Sequence, residues 1–240
     1  EKTHTYRLTV SQSTPPTADQ MEKVNLHIPL KVALYDANGT KQMLQHNGEL
    51  LSDVLNVTEK DQVFEFHGIY GRPIPALLCD FSAPVKLDYD YKTEQLLGLL
   101  KFADNQFIRW DAAQMLFAQE LRRNVVRFQQ GEALEISPEM LTALSHVLNN
   151  YEKDIELATL ILTLPKEMEF AEGFKTIDPE GISAARAFMQ AQIAESLKDD
   201  FLRVYTHIRL DDYQVTQQDI ALRAMRNLCL TYLAYTNLGN

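Results

Sequence analysis

The chain has 240 residues, of which 45% are hydrophobic and 23% charged. This composition excludes an intrinsically disordered chain and a collagen-like one. The formal net charge of −10 argues against a nucleic-acid partner, because binding to phosphates depends on cationic side chains. No apolar run reaches the roughly 18 residues that a membrane span needs, so we expect no membrane partner.

Cysteine usage points to a reducing compartment. Cys79 and Cys229 are the two cysteines, and they lie far apart in the sequence. Small secreted domains carry many closely spaced cysteines that form disulfides. We therefore expect free thiols and a cytoplasmic location.

The first residue of the sequence is Glu1, and the first methionine is Met21. A trimmed tag or a removed propeptide would explain this start. A piece taken from a longer protein is the interpretation that we favour.

Residues 1–92 predict an antiparallel β-sandwich. Apolar residues alternate with polar ones, beginning with Tyr6, Leu8 and Val10, and this is typical of strands with one buried face. Asp36-Ala37-Asn38-Gly39 predicts a hairpin turn, because Asn-Gly readily adopts positive φ angles. The predicted strands lie at 5–11, 26–34, 42–45, 53–57, 62–67, 76–81 and 85–91. We expect an immunoglobulin-like domain over 1–92 that lacks the Cys…Trp…Cys spacing of antibody domains.

Residues 93–240 predict an α-helical domain, because the apolar period changes from two to about 3.6. The first long helix has a capping residue, Asp104, and a terminating glycine, Gly131. Its apolar stripe consists of Phe107, Trp110, Ala113, Phe117, Leu121, Val125 and Phe128.

Four further helices are predicted to begin at Ser137-Pro138, Ile155, Asp178-Pro179 and Thr216. Capping residues or prolines indicate three of these starts, and the helix around Ile155–Leu164 is predicted to end at Pro165. We expect the third of these helices to continue to Ile208 and the last to about Leu238. Short connections favour antiparallel helical hairpins, either in a bundle or at the start of an α-solenoid.

The histidines show no zinc-binding pattern. No two of them stand three or four residues apart, whereas metallohydrolase helices use His-x-x-x-His to aim two imidazoles at one ion. They are His4, His27, His46, His67, His146 and His207. Two of them could still meet in space, but each is interpreted as structural. His207, near Asp211 and Asp212, is interpreted as part of a solvated helix end.

No nucleophile or phosphate-binding loop is indicated either. The chain lacks a Gly-x-Ser-x-Gly elbow, and both cysteines lie in apolar segments that predict burial. Gly68-Ile69-Tyr70-Gly71 predicts a turn between strands. The remaining polar clusters are interpreted as solvated faces or ion pairs, and they are Asp88 with Asp90, Asp199 with Asp200, and Arg122 with Arg123 and Arg127. We therefore predict no catalytic, metal-binding or substrate-binding residue.

Five segments resemble bacterial aminopeptidase N, a family of zinc-dependent metallopeptidases that remove N-terminal residues from peptides. They are Val54–Thr58, Pro75–Leu87, Arg109–Gln114, Ile161–Pro165 and Arg226–Leu230. The resemblance extends from about Thr5 to about Leu233, and its most specific segment is Pro75–Leu87. It implies an immunoglobulin-like β domain followed by the start of a large C-terminal helical domain.

The family's catalytic motifs are absent from this sequence. Neither His-Glu-x-x-His nor Gly-x-Met-Glu-Asn occurs. The resemblance therefore implies a non-catalytic part of a longer parent protein, with the zinc in the rest of that parent. The β domain would be a spacer, and the helices would be part of the cover over the active-site chamber. Its partners would be the parent's other domains and peptide substrates.

Two other functions stay open. One is a free-standing adaptor that holds a protein partner on a concave helical face. The other is an enzyme whose site is assembled from scattered residues, which requires a cleft with convergent, strongly shifted ionisable groups.

Overall fold

A computed structural model of the chain describes residues 4–171, 174, 176–209 and 214–236. The chain divides into two compact units, Glu1–Arg109 and Trp110–Asn240. Helix α1, Thr93–Phe102, therefore belongs to the same compact unit as the strands. The helices begin at Thr93, whereas the boundary between the two compact units follows Arg109.

The first unit contains a β-sandwich. Its strands are β1 Thr5–Ser11, β2 Ile28–Tyr35, β3 Lys41–Gln42, β4 Gln45–His46, β5 Glu49–Leu50, β6 Val54–Val57, β7 Asp61–His67 and β8 Ile74–Leu77. All the pairs are antiparallel: β1 pairs with β7, β2 pairs with β3, β6 and β8, and β4 pairs with β5. Leu8 and Phe66 from one sheet share a buried cluster with Val32, Leu34 and Leu55 from the other. The predicted immunoglobulin-like sandwich is confirmed.

The predicted strand at 85–91 is wrong, although the alternation behind it is real. Val85, Leu87 and Tyr89 pack against the core cluster. The backbone N–H of Val85 donates to the Ala83 carbonyl, and that of Tyr91 donates to the Tyr89 carbonyl, so these bonds are local. Alternation decides which side chains are buried, whereas a strand also needs a neighbouring strand to pair with.

The predicted strand at 76–81 is too long. β8 ends at Leu77, because Leu78 adopts a φ of 65°. A 3₁₀ turn, Cys79–Phe81, follows, and Asp80 and Phe81 also have positive φ. Each such residue costs of the order of 1 kcal/mol, so surrounding contacts must hold this turn.

Helix α1 covers the second face of β2. Every residue from Val32 to Tyr35 is buried, not only the predicted inward-facing ones. The Tyr35 ring lies 5.6 Å from the Phe102 ring of α1. The predicted hairpin between β2 and β3 is confirmed, and a Cβ at Gly39 would come within 2.5 Å of Phe102. The helix therefore fits closely against this turn.

The second unit is built of helices, and the predicted α-helical domain is confirmed. The helices after α1 are α2 Gln106–Gln129, α3 Pro138–Asn149, α4 Ile155–Leu162, α5 Glu167–Ala171, α6 Pro179–Ser196, α7 Lys198–His207 and α8 Gln217–Leu233. The hydroxyl of Tyr232 in α8 donates to the Leu162 carbonyl of α4 over 2.7 Å. The same ring stacks on Phe201 of α7 at 4.6 Å. Among the described helices, none is both long and apolar enough to cross a membrane.

The predicted helix ends are mostly confirmed. Gly131 has a φ of 70°, and the N–H of Glu132 donates to the Arg127 carbonyl, as in a Schellman motif. Asp178 and Thr216 accept backbone N–H bonds at the starts of α6 and α8.

Asp104 does not cap α2. The cap is Asn105, whose side chain accepts the N–H of Ile108 over 3.1 Å. Asp104 instead accepts a hydrogen bond from the Tyr35 hydroxyl and forms an ion pair with Lys41. Both residues are good caps, so the sequence alone did not decide between them.

The helix predicted from Asp178 to Ile208 is broken. α6 ends before Leu197, whose φ of −111° and ψ of 18° separate it from α7. The stripe residues on both sides of the break stay buried, so periodicity does not reveal it. α8 ends at Leu233, and the predicted end at Leu238 lies outside the described residues.

Candidate metal centre

Three potential metal ligands gather beside β7. Glu65 and His67 share one face of this strand, because they are two residues apart, while Phe66 between them is fully buried in the core. His46 of β4 lies beside them, with its ring centroid 4.4 Å from that of His67. Each of the three side chains offers one ligand atom, and these atoms all lie within 4.8 Å of one another.

A tight hairpin places His46. β4 and β5 are joined by Asn47 and Gly48, whose φ angles of 51° and 83° are those of a type I′ turn. The turn also directs the backbone N–H of Asn47 to Nδ1 of His67, over 3.0 Å. The hairpin is therefore joined to β7 at the cluster itself.

Hydrogen bonds define the state of each ligand. Nδ1 of His46 lies 3.3 Å from the Glu65 carbonyl oxygen. Because a carbonyl only accepts, Nδ1 donates, and in the neutral ring Nε2 then has the lone pair. His67 accepts at Nδ1, so the proton of its neutral ring is on Nε2. Oε1 of Glu65 accepts from Nε of Arg7 over 2.6 Å, across the β1–β7 ladder.

This cluster is not evident from the sequence, where His46 and His67 are interpreted as structural. The absence of a metal-binding residue stays a prediction. Two signals were present: Glu65-x-His67 within a predicted strand, and an Asn-Gly pair directly after His46. What the sequence did not show is that β4 lies beside β7.

Other candidate residues make local contacts within the described part of the helical unit. Nε2 of His207 lies 3.3 Å from a carboxylate oxygen of Glu152, and Asp211 and Asp212 lie outside the described residues. Asp200 accepts hydrogen bonds from Ser145 and Asn149.

The arginine cluster on α2 forms local ion pairs. Arg123 lies 3.6 Å from Glu120, and Arg127 lies 2.8 Å from Glu135. Nε of Arg127 also donates to the Ala133 carbonyl over 2.5 Å. These contacts hold the segment that follows α2 against the end of that helix, and they support the interpretation of the arginines as ion-pair partners.

The cysteines are buried and free, as predicted. Burial raises the pKa of the Cys79 thiol to about 11 and that of Cys229 to about 12. The segment from Gly68 to Gly71 connects β7 with β8, so the predicted turn is confirmed. Trp110, predicted to be core, is only partly buried.

Two known proteins are similar to this chain over nearly its whole length. It is 97% identical over 240 residues to Aminopeptidase N of Haemophilus influenzae (strain ATCC 51907 / DSM 11121 / KW20 / Rd). It is 45% identical over 234 residues to Aminopeptidase N of Escherichia coli (strain K12). The chain spans only 28% and 27% of the lengths of these relatives. The resemblance stated from the sequence is confirmed.

A solved structure shows the same fold. The crystal structure of Legionella pneumophila aminopeptidase A in complex with aspartic acid matches 98% of this chain with a TM-score of 0.79 and 27% identity. The match covers 26% of that protein.

Two family models match in succession. Residues 1–90 match a domain of unknown function (DUF3458) with an Ig-like fold, and residues 93–239 match a domain of unknown function (DUF3458_C) with ARM repeats. Because the second model covers more than half of the sequence, the chain belongs to the DUF3458_C family of ARM-repeat domains.

Proposed function

We propose that this chain is a non-catalytic, architectural part of a zinc-dependent aminopeptidase N that removes N-terminal residues from peptides. The observation that carries the proposal is the 97% identity over the full chain to an Aminopeptidase N of which the chain makes up 28%. Two compact units with buried apolar cores suit a structural role.

The zinc of such an enzyme does not fit this chain's helices. His146 in α3 and His207 in α7 are the histidines within described helices, and neither has a second histidine one turn away. A His-Glu-x-x-His helix needs that pair to hold the ion. We assign the catalytic zinc, and the binding of the peptide, to the remainder of the parent.

In this proposal residues 1–92 are a spacer domain and residues 93–240 are part of the cover over the active-site chamber. The second assignment rests on the match to ARM repeats, since stacked helical pairs form extended surfaces. A cytoplasmic location is consistent with two buried, unpaired thiols.

The proposal that this chain is part of a longer aminopeptidase is tested by the size and activity of the protein that contains it. An antibody against this chain, used on cells that produce it, is expected to precipitate aminopeptidase activity together with a polypeptide several times larger than 27.5 kDa. A free product of 27.5 kDa without that activity contradicts the proposal and favours the adaptor.

The proposed role of residues 93–240 as part of a cover is tested with peptides of increasing length. The precipitated enzyme is assayed on substrates that share an N-terminal alanine but differ in length and folding. A covered chamber predicts that kcat/KM falls steeply from short peptides to a folded protein. Equal kcat/KM values across the series contradict the role as a cover.

A further inference from the structure

We propose that His46, Glu65 and His67 form a binding site for a divalent transition-metal ion, for which zinc serves as the probe. This site belongs to the immunoglobulin-like unit, Glu1–Arg109. It does not depend on the aminopeptidase proposal, because every ligand comes from this chain.

The donor atoms select the class of ion. Two imidazole nitrogens and one carboxylate oxygen suit zinc, nickel or copper, whereas calcium and magnesium prefer oxygen ligands alone. Zinc bonds of about 2.0–2.2 Å place tetrahedral ligand atoms roughly 3.4 Å apart. The present atoms lie within 4.8 Å of one another, so the three partly buried side chains need only a small inward movement. Water can take the fourth position.

His46 is already oriented as a metal ligand. Its Nδ1 donates to the Glu65 carbonyl oxygen, so Nε2 of the neutral ring offers a lone pair. Ligating histidines commonly donate their second ring N–H to a carbonyl, which fixes the tautomer and orients the ring.

His67 must exchange one partner to bind the ion. Its Nδ1 accepts the N–H of Asn47, and the ring nitrogen that binds a metal cannot also carry a proton. The ion either takes the place of that N–H at Nδ1, or the ring turns and shifts its proton so that Nε2 binds. Both routes break the same hydrogen bond. Asn47 is exposed, so water can then satisfy its N–H.

Glu65 supplies the negative charge of the site. Arg7 holds only Oε1 of this carboxylate, which leaves Oε2 for an ion. The Arg7 side chain is 71% exposed, and exposed ion pairs are weak. The pair therefore orients the carboxylate without preventing coordination.

The direct test is calorimetric titration of the full 240-residue chain with zinc chloride, after removal of any histidine tag. We expect saturable binding of one ion per chain. His46→Ala and His67→Ala are each expected to weaken binding about tenfold or more. His27→Ala is the matched control, because this exposed histidine bonds to Asn56 away from the cluster, and it should bind zinc like the unmutated chain.

Binding of full strength in both cluster variants overturns the proposal, and so does the absence of saturable binding by the unmutated chain up to about 1 mM zinc. Thermal unfolding without zinc identifies any variant that fails to fold. Glu65→Gln then replaces it, with the same expected loss.

A second measurement needs no substitution. In ¹⁵N-labelled chain, zinc is expected to shift the Asn47 amide resonance as its hydrogen bond to His67 breaks. Zinc that shifts resonances elsewhere and leaves Asn47 unchanged overturns the proposed site.

Discussion

At the scale of single residues, Asp111 on α2 carries a carboxyl group whose charge the fold disfavours. Burial raises its pKa from the usual 3.8 to about 6. Because the pKa is higher in the folded than in the unfolded chain, the folded state holds the proton more tightly. This contribution to stability is complete below pH 4 and is lost as the pH rises through 6.

Replacement of Asp111 by asparagine should remove the part of the pH dependence of stability that comes from this carboxyl group. A pKa shift of this size lowers the free energy of unfolding by at most about 3 kcal/mol at high pH and by about half of that at pH 5. The stability gained by Asp111→Asn is therefore expected to be roughly 1 kcal/mol larger at pH 8 than at pH 5. Urea unfolding at the two pH values measures it. Asp88→Asn, at an exposed position, is the control, and an equal gain at both pH values for Asp111→Asn contradicts this account.

The two thiols should be unreactive in the folded chain. A thiolate is the reactive form, and burial raises the pKa values of Cys79 and Cys229 to about 11 and about 12. Ellman's reagent at pH 8 is expected to detect almost no thiol before denaturation and both thiols afterwards. One equivalent released at once from the folded chain would show that a cysteine is accessible.

At the scale of elements, Asn105 joins the turn after β8 to the start of α2. Its side chain accepts the N–H of Ile108 as a helix cap. It also donates to Asp80, and the N–H of Asp80 donates back to it over 3.3 Å. Lys31 binds the same carboxylate at 2.7 Å, so these contacts hold the positive-φ turn.

Loss of the Asn105 side chain should therefore destabilise the folded chain more than loss of a helix cap alone. We expect Asn105→Ala to cost about 2 kcal/mol, at the upper end of the range for helix caps, and Asn105→Ser to cost less because serine still caps. Chemical denaturation measures both. Asn227→Ala, at an exposed position inside α8, should be neutral or slightly stabilising. Equal stability of Asn105→Ala and the unmutated chain contradicts the role.

The end of α2 offers a second test. Gly131 has a φ of 70°, and no atom lies within 4 Å of where its Cβ would be. Gly131→Ala is therefore expected to destabilise by about 1 kcal/mol through backbone strain alone. Asparagine tolerates this conformation better, so Gly131→Asn should lose less stability in the same denaturation experiment. A larger loss with asparagine than with alanine would contradict this reason.

The elements also show what the sequence could predict. Local patterns gave the buried faces, the caps at Asp178 and Thr216, and the end at Gly131, because each depends on neighbouring residues. The pairing of 85–91, the break at Leu197 and the meeting of His46 with His67 depend on contacts between distant segments. A single sequence does not contain those contacts, and for that reason the candidate metal centre was not predicted.

At the scale of the whole molecule, the chain divides into two compact units. Its 240 residues contain neither family motif, and its relatives are more than three times as long, since it spans 28% and 27% of them. We propose that this chain supplies architecture and that catalysis belongs to the rest of the parent. A metal ion at His46, Glu65 and His67 that catalyses nothing is compatible with this proposal.

The most direct test is hydrolysis of alanyl-4-nitroanilide by the purified 240-residue chain, with and without saturating zinc. We expect the rate to equal the uncatalysed background in both conditions, whereas the full-length parent turns the substrate over. Zinc-dependent turnover by the chain alone, abolished by a chelator, would contradict the assignment of catalysis to the rest of the parent.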